Sequence, residues 1–137
     1  MKINSKHTTY NLQPITYYLL AISFLLTSCY NQERNCQDFK TGKFKSEIEV
    51  DGKKLVTTFE RNDSIQIETF DGVTDTYDVR WTNDCEYVIK NSEPKNMAER
   101  KAVQVKILTT SKKSYTFEYN YIGESLKQKG IVYKLDK

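Results

Sequence analysis

A regular alternation of apolar and polar residues recurs through most of this 137-residue chain and limits what it can fold into. From residue 43 to residue 50, for example, charged side chains alternate with mainly apolar ones. A period of two is typical of β-strands that turn one face toward a core. Asp51-Gly52 and Asp71-Gly72 are typical of tight hairpin turns, because both central positions of a type I′ turn need positive φ. The pattern predicts an all-β domain built as an antiparallel up-and-down meander of about eight strands.

A meander of this size usually avoids exposed edge strands by closing on itself. We therefore expect the sheet to close or curl into a small barrel, with a curled half-barrel or a flattened sandwich as the alternative. Residues 91–97, which include Pro94, do not fit a central strand and predict one long connection.

The alternation also predicts which side chains point inward. In the third strand it places Ile65 and Ile67 on the inner face, with Gln66 and Glu68 opposite. In the last strand it places Tyr133 on the inner face. These assignments follow from the rule that successive side chains in a strand point to opposite faces.

Aromatic residues dominate the predicted inner face, which carries Phe44, Phe59, Tyr77, Trp81, Tyr87, Tyr115, Phe117, Tyr119, Tyr121 and Tyr133. They either fill a packed core or line an amphipathic pocket. The pocket is an alternative because most of them are tyrosines, whose buried hydroxyl groups need hydrogen-bond partners. In that case the candidate ligand-binding residues are Tyr77, Trp81, Tyr87, Tyr115, Phe117, Tyr119 and Tyr133.

The N-terminal segment has the pattern of a targeting signal. Lys2 and Lys6 precede the apolar stretch 15–26, which is the layout of a secretory signal peptide. The stretch is shorter than the roughly 20 apolar residues that span a bilayer. Its last residue, Leu26, begins the tetrapeptide Leu26-Thr27-Ser28-Cys29, which looks like the lipobox of a bacterial lipoprotein.

The lipobox resemblance implies three segments: a removed signal peptide over 1–28, a lipidated tether over 29–35 and a single β-barrel-like domain over 36–137. Lipid on Cys29 would anchor the protein to a membrane of the cell envelope. Tyr30 stands where an aspartate would favour the inner membrane, so the outer membrane is expected. The alternative is an ordinary secretory signal in which Cys29 is only the first mature residue.

The length of the tether limits how far the domain can lie from the membrane. Fully extended, the tether reaches roughly 20 Å, which keeps the domain close to the membrane.

Two further cysteines, Cys36 and Cys85, remain if Cys29 carries lipid. In an oxidising envelope compartment two thiols most simply pair, so we predict a disulfide between them. Buried free thiols are the alternative.

Several functional classes are disfavoured by composition. The only histidine, His7, lies in the predicted signal peptide, so the mature chain has no imidazole for catalysis or metal binding. Removal of Lys2 and Lys6 leaves 19 of the 21 basic residues against 18 acidic ones, a net charge of about +1, which gives no electrostatic basis for nucleic-acid binding. No catalytic, cofactor or metal motif occurs, so we expect no enzyme activity, no cofactor and no metal.

Three segments carry a resemblance to a known family: Cys36–Phe44 (CQDFKTGKF), Trp81–Tyr87 (WTNDCEY) and Ser114–Tyr119 (SYTFEY). They resemble a family of small uncharacterised lipoproteins of Bacteroidetes-type bacteria, over nearly all of the mature chain. Members of that family often carry the label DNA topoisomerase IV. The residues of this chain do not support such an activity, because it has neither an ATPase signature nor an acidic metal-binding motif.

A second resemblance, to lipocalin-like barrels, rests on Gly42-Lys43-Phe44 at the start of the first strand. Lipocalins have a Gly-x-Trp there, and this chain has phenylalanine in the tryptophan position. The resemblance implies a small lipocalin-like barrel and adds little about a ligand.

Two functional hypotheses follow from the sequence. The first is a membrane-anchored envelope lipoprotein that acts as a non-catalytic binding or accessory module for a membrane-proximal partner. The alternative is a small-molecule carrier with a tyrosine-lined barrel interior.

Overall fold

The computed structural model describes residues Arg34–Asp136, which form a closed antiparallel barrel of eight strands in chain order. The expected all-β meander is therefore confirmed, and it closes because β1 pairs with β8 as well as with β2. A short 3-10 helix, Gln37–Phe39, precedes the strands. The strands are β1 (Gly42–Val50), β2 (Lys53–Arg61), β3 (Ile65–Phe70), β4 (Val73–Asn83), β5 (Glu86–Asn91), β6 (Val103–Thr110), β7 (Ser114–Tyr121) and β8 (Gln128–Lys134).

Connections at the two ends of the barrel differ in character. At one end, Asp51-Gly52 and Asp71-Gly72 form the expected two-residue turns, and all four residues have positive φ. The longer loops 92–102 and 122–127 lie at the same end, which we call the open end. The opposite end, which we call the closed end, is covered by the segment that contains the 3-10 helix.

Glycine at position 130 allows β8 to fit between its two neighbours. Gly130 pairs with Ile48 of β1 and with Phe117 of β7. A Cβ atom at this position would lie 2.5 Å from Ile48 Cγ2 and 2.8 Å from Phe117 Cζ. The missing side chain therefore lets the last strand complete the barrel.

The inward assignment of β3 was wrong. Gln66 is buried and Glu68 is turned inward, whereas Ile65 and Ile67 are 38% and 48% exposed. The cause is the register with β2, in which Arg61 pairs with Gln66. Directly paired residues of an antiparallel sheet share a face, so the inward-facing β2 residues set the parity of β3.

The inward assignment of Tyr133 was wrong for the same reason. Val132 is buried and pairs with Ser46 on one side and Tyr115 on the other. Tyr133 lies on the outer surface, 36% exposed, with Lys45 Nζ 5.3 Å from its ring centre.

The predicted disulfide joins Cys36 to Cys85 and is confirmed. It links the segment before the 3-10 helix to the β4–β5 turn, with the two Cα atoms 5.3 Å apart. Cys36 and Phe39 are buried with the hydrophobic core, so the segment is covalently and non-covalently fixed to the closed end. The core consists of Cys36, Phe39, Phe44, Phe59, Val79, Tyr87, Val105, Ile107, Tyr115, Phe117 and Val132.

Candidate ligand-binding site

The barrel interior is only partly filled and contains a cavity of about 330 Å³. Residues of the 92–102 loop, Ala98, Glu99 and Lys101, line it, which places its mouth at the open end. Tyr87 and Tyr115 line it deeper in the barrel. A volume of this size lies at the lower end of the range for small-molecule pockets.

One wall of the cavity is apolar. It is formed by inward-facing residues of β1 and β5–β8, whose alternate positions carry aliphatic and aromatic side chains. The members are Ile48, Ile89, Val103, Val105, Phe117 and Val132. This wall would bind the apolar part of a ligand by removing it from water.

The facing wall, on β3, β4 and β5, is polar. Gln66 pairs with Tyr77, and Tyr77 pairs with Asn91, so these three side chains form one inward row across the sheet. Glu68 lies two residues beyond Gln66, toward the open end. All four residues line the cavity.

The carboxyl group of Glu68 is largely shielded from water. Burial raises its pKa, the charge of Asp75 raises it further, and the hydrogen bond that Gln66 Nε2 donates at 3.0 Å opposes the shift. The hydroxyl group of Tyr77 lies near the same carboxylates. Burial first, and then the charges of Glu68, Asp75 and Glu99, raise the pKa of its hydroxyl group to about 12. Glu68, Asp75 and Glu99 therefore all lie close enough to the Tyr77 hydroxyl group to disfavour its ionisation.

Beneath the cavity lies a buried arginine. Arg61 is 2% exposed, and its guanidinium carbon lies 4.5–5.4 Å from the ring centres of four aromatic residues: Tyr87, Phe44, Phe59 and Trp81. Burial of such a charge is costly unless its donors are satisfied.

The donors of Arg61 are almost completely used. It donates to the backbone carbonyl oxygens of Phe39 at 2.6 Å and Lys40 at 3.3 Å. It also donates to Gln66 Oε1 at 3.2 Å and to the hydroxyl oxygen of Tyr115 at 3.4 Å. The first two bonds satisfy carbonyl groups at the end of the 3-10 helix. Arg61 therefore fixes the helix over the closed end.

A hydroxyl pair continues from this arginine toward the cavity. The hydroxyl oxygens of Tyr115 and Tyr87 are 3.4 Å apart. Burial raises the pKa of Tyr115 far above its ordinary value, so the group stays protonated. Because Tyr115 accepts from Arg61, its own proton is free for Tyr87, whose hydroxyl proton can in turn point into the cavity.

The predicted ligand-binding residues divide into two groups. Those that the barrel brings together around the cavity are Tyr77, Tyr87, Tyr115, Phe117 and Tyr119. Trp81 and Tyr133 are not among the lining residues. Trp81 lies toward the closed end, with its ring centre 4.6 Å from that of Tyr87, and Tyr133 is on the outer surface. Cys29, the predicted lipidation site, is outside the described residues.

The sequence analysis missed the polar residues of the cavity wall, Gln66, Glu68 and Asn91, and the buried Arg61 beneath it. The sequence did contain a signal for Arg61. Arg61 follows Phe59 by two positions, so it lies on the same inward face of β2. With Arg61 inside, the observed register of the β2–β3 hairpin also places its partner Gln66 inside. The same signal marked Asn91, which follows Ile89 by two positions, but the sequence analysis had assigned it to the long connection, whereas it is the last residue of β5.

Within Arg34–Asp136 no group of three or more histidine, cysteine, aspartate or glutamate side chains is arranged to hold a metal ion. Nor does that part of the chain contain a helix long and apolar enough to cross a membrane. Comparison with protein-family models, curated proteins and solved structures found no match to this chain.

Proposed function

We propose that the protein is an envelope lipoprotein that carries a small amphipathic molecule in its barrel. The observation that supports this most directly is the cavity of about 330 Å³, with one apolar wall and one polar wall, reached from the open end. A barrel built only for structural stability would fill such a space with side chains, because protein interiors are close-packed.

The position of the N-terminus bears on how such a carrier would work. The described chain enters the barrel at the closed end, where Arg34 donates to the carbonyl oxygen of Ile107. Only five peptide steps separate Arg34 from Cys29, a reach of at most about 18 Å. A lipid on Cys29 would therefore hold the closed end near the membrane and turn the mouth away from it. In this proposal, ligand exchange takes place on the side away from the anchor.

Three ten-carbon probes, decanol, decylamine and decanoate, test the carrier proposal by calorimetric titration. The chain from Tyr30 onward suits this test because it contains the whole closed barrel and both disulfide cysteines. We expect at least one probe to bind one-to-one. Failure of all three to bind would contradict the proposal.

A matched pair of variants tests whether the probe binds inside the barrel. Val103→Trp fills the cavity from an inward position, whereas Gln104→Trp adds the same side chain to the exposed outer face of the same strand. Binding should be lost in the first variant and kept in the second, with unchanged circular dichroism in both. Equal binding by both variants would place the probe outside the barrel.

A second candidate function, a binding or accessory module for a protein partner, is favoured by the open-end loops. Five large apolar side chains are exposed there: Phe70, Val73, Met97, Ile122 and Leu126. Met97 and Leu126 are more than 70% exposed. Exposed apolar groups near one another are typical of surfaces that bind a partner. Crosslinking in intact envelopes should then capture a protein through these loops, and recovery of the chain alone would contradict this function.

A further inference from the structure

We propose that the ligand is an amphipathic amine, whose cationic head binds Glu68 and whose apolar tail packs against the aliphatic wall. This inference rests on the proposed carrier function and names the chemical class of its ligand.

Glu68 is the first observation. A carboxylate can accept about four hydrogen bonds, and this one receives one from Gln66 within the described structure. No lysine or arginine of the described chain forms an ion pair with Glu68. Its side chain lines the cavity, so its unused acceptor capacity is available to a ligand.

Asn91 is the second observation, and it is independent of the carboxylate. The residue is 6% exposed and lines the cavity. Its Oδ1 accepts from the backbone N–H of Glu93 at 2.8 Å, and its Nδ2 has no partner among the described residues. Trp81 Nε1 is the one fully buried side-chain polar atom without a partner in the described part of the chain, so the Asn91 Nδ2 atom is open to the cavity and its donors can pair with a ligand group.

The surrounding charges favour a cation over an anion. Lys101 is the one basic residue that lines the cavity, and it is paired with Glu124 at 2.6 Å. Lys95, on the same loop, is paired with Asp75 at 3.5 Å. Arg61 is not among the residues that line the cavity. An anionic head would therefore be repelled by Glu68, whereas an ammonium group would be attracted.

Aromatic rings add to the preference for a cation. Tyr77, Tyr119 and Tyr121 line the same space as Glu68. An ammonium group near a tyrosine ring is attracted by the negative face of the ring, and the attraction grows when water is excluded. A cation at Glu68 would have its alkyl chain directed toward Val105, Phe117 and Val132, deeper in the barrel.

Probes that share a tail and differ in the head test the inference: decylamine, decanol and decanoate. A hydrogen bond to a charged group is worth roughly ten- to a hundredfold in affinity. We therefore expect decylamine to bind the chain from Tyr30 onward at least tenfold more tightly than decanol, and decanoate to bind least tightly. Decylamine affinity equal to or weaker than that of decanol would overturn the inference while leaving the carrier function intact. Absence of binding by all three would overturn both.

Glu68→Gln removes the charge and keeps the shape of the side chain. Its decylamine affinity should fall at least tenfold, while its decanol affinity should stay within about twofold of the wild type. Glu60→Gln is the matched control, because it makes the same change of charge at an exposed position on the adjacent strand. An equal loss of decylamine affinity in the two variants would show a non-specific effect of net charge and overturn the inference.

Discussion

The guanidinium group of Arg61 donates a 2.6 Å hydrogen bond to the backbone carbonyl oxygen of Phe39, and this contact joins the end of β2 to the 3-10 helix. It closes one end of the barrel with a charge that is almost fully buried. The same guanidinium connects through Gln66 to Glu68, so the fixed closed end and the polar wall of the cavity belong to one hydrogen-bond network.

Replacement of Arg61 by leucine should be strongly destabilising. It leaves the carbonyl groups of Phe39 and Lys40 and the amide oxygen of Gln66 without their donor, and each unsatisfied buried group costs about 1–3 kcal/mol. We expect the free energy of unfolding in urea to fall by at least about 3 kcal/mol. Arg80→Leu, at an exposed position on β4, is the control and should change it by no more than about 0.5 kcal/mol. A loss below about 1 kcal/mol for Arg61→Leu would contradict the role assigned to this network.

Loss of the disulfide should also lower stability. The bond closes a loop with a sequence separation of 49 residues. In the chain-entropy model a loop of this length contributes about 4 kcal/mol. The double variant Cys36→Ser, Cys85→Ser should therefore melt at a lower temperature than the oxidised protein, and reduction of the wild type should give a similar shift. No difference in melting temperature would mean that the non-covalent contacts of Phe39 alone hold the segment in place.

The pH dependence of stability should reveal the buried carboxyl group of Glu68. Its pKa is raised above its ordinary value of 4.5, first by burial and then by Asp75. The folded protein therefore holds this proton more tightly than the unfolded chain, and stability decreases as the pH rises through the interval above that value. Glu68→Gln removes this cost. Its free energy of unfolding should exceed that of the wild type at pH 7, and the gain should shrink below pH 4.

The outcome that would contradict this account of Glu68 is a variant less stable than the wild type at pH 7. Glu60→Gln again serves as the control. Its side chain is exposed, so its substitution should change stability by no more than about 0.5 kcal/mol at either pH.

The strand pattern and the turns could be predicted from the sequence, whereas the polar wall could not. Asp51-Gly52 and Asp71-Gly72 specify local backbone geometry, so their turns are visible in the sequence itself. The orientation of Glu68 instead depends on the pairing of β2 with β3, which is a non-local property. The isoleucines of β3 gave a misleading signal because the register with β2 outweighed their preference for burial.

The cavity itself was beyond prediction, although several of its lining residues were not. Tyr87 and Tyr115 follow the alternation of their strands and face inward as expected. Whether such side chains fill a barrel or leave a space depends on how their volumes add up around the closed sheet. The sequence pattern carries no information on that sum, so both a filled core and a pocket were consistent with it.

The lipid anchor is tested by replacing Cys29 with serine. If the cysteine carries the lipid, Cys29→Ser should move the protein out of the membrane fraction after cell fractionation, because the lipobox position then has no thiol for lipid attachment. Cys85→Ser is a useful comparison, since its sulfur lies in the disulfide of the folded domain and its loss should leave the protein in the membrane fraction. Retention of both variants in the membrane fraction would contradict the lipobox interpretation.

The central claim is that the barrel holds a small molecule, and native mass spectrometry tests it most directly. The Cys29→Ser form, which carries no lipid, should be purified without detergent from the cells that make it and measured under conditions that preserve non-covalent complexes. We predict an added mass corresponding to one small molecule per chain, retained by Gln104→Trp and lost in Val103→Trp. A Cys29→Ser protein with an unaltered barrel that consistently shows only the mass of its polypeptide would contradict the claim.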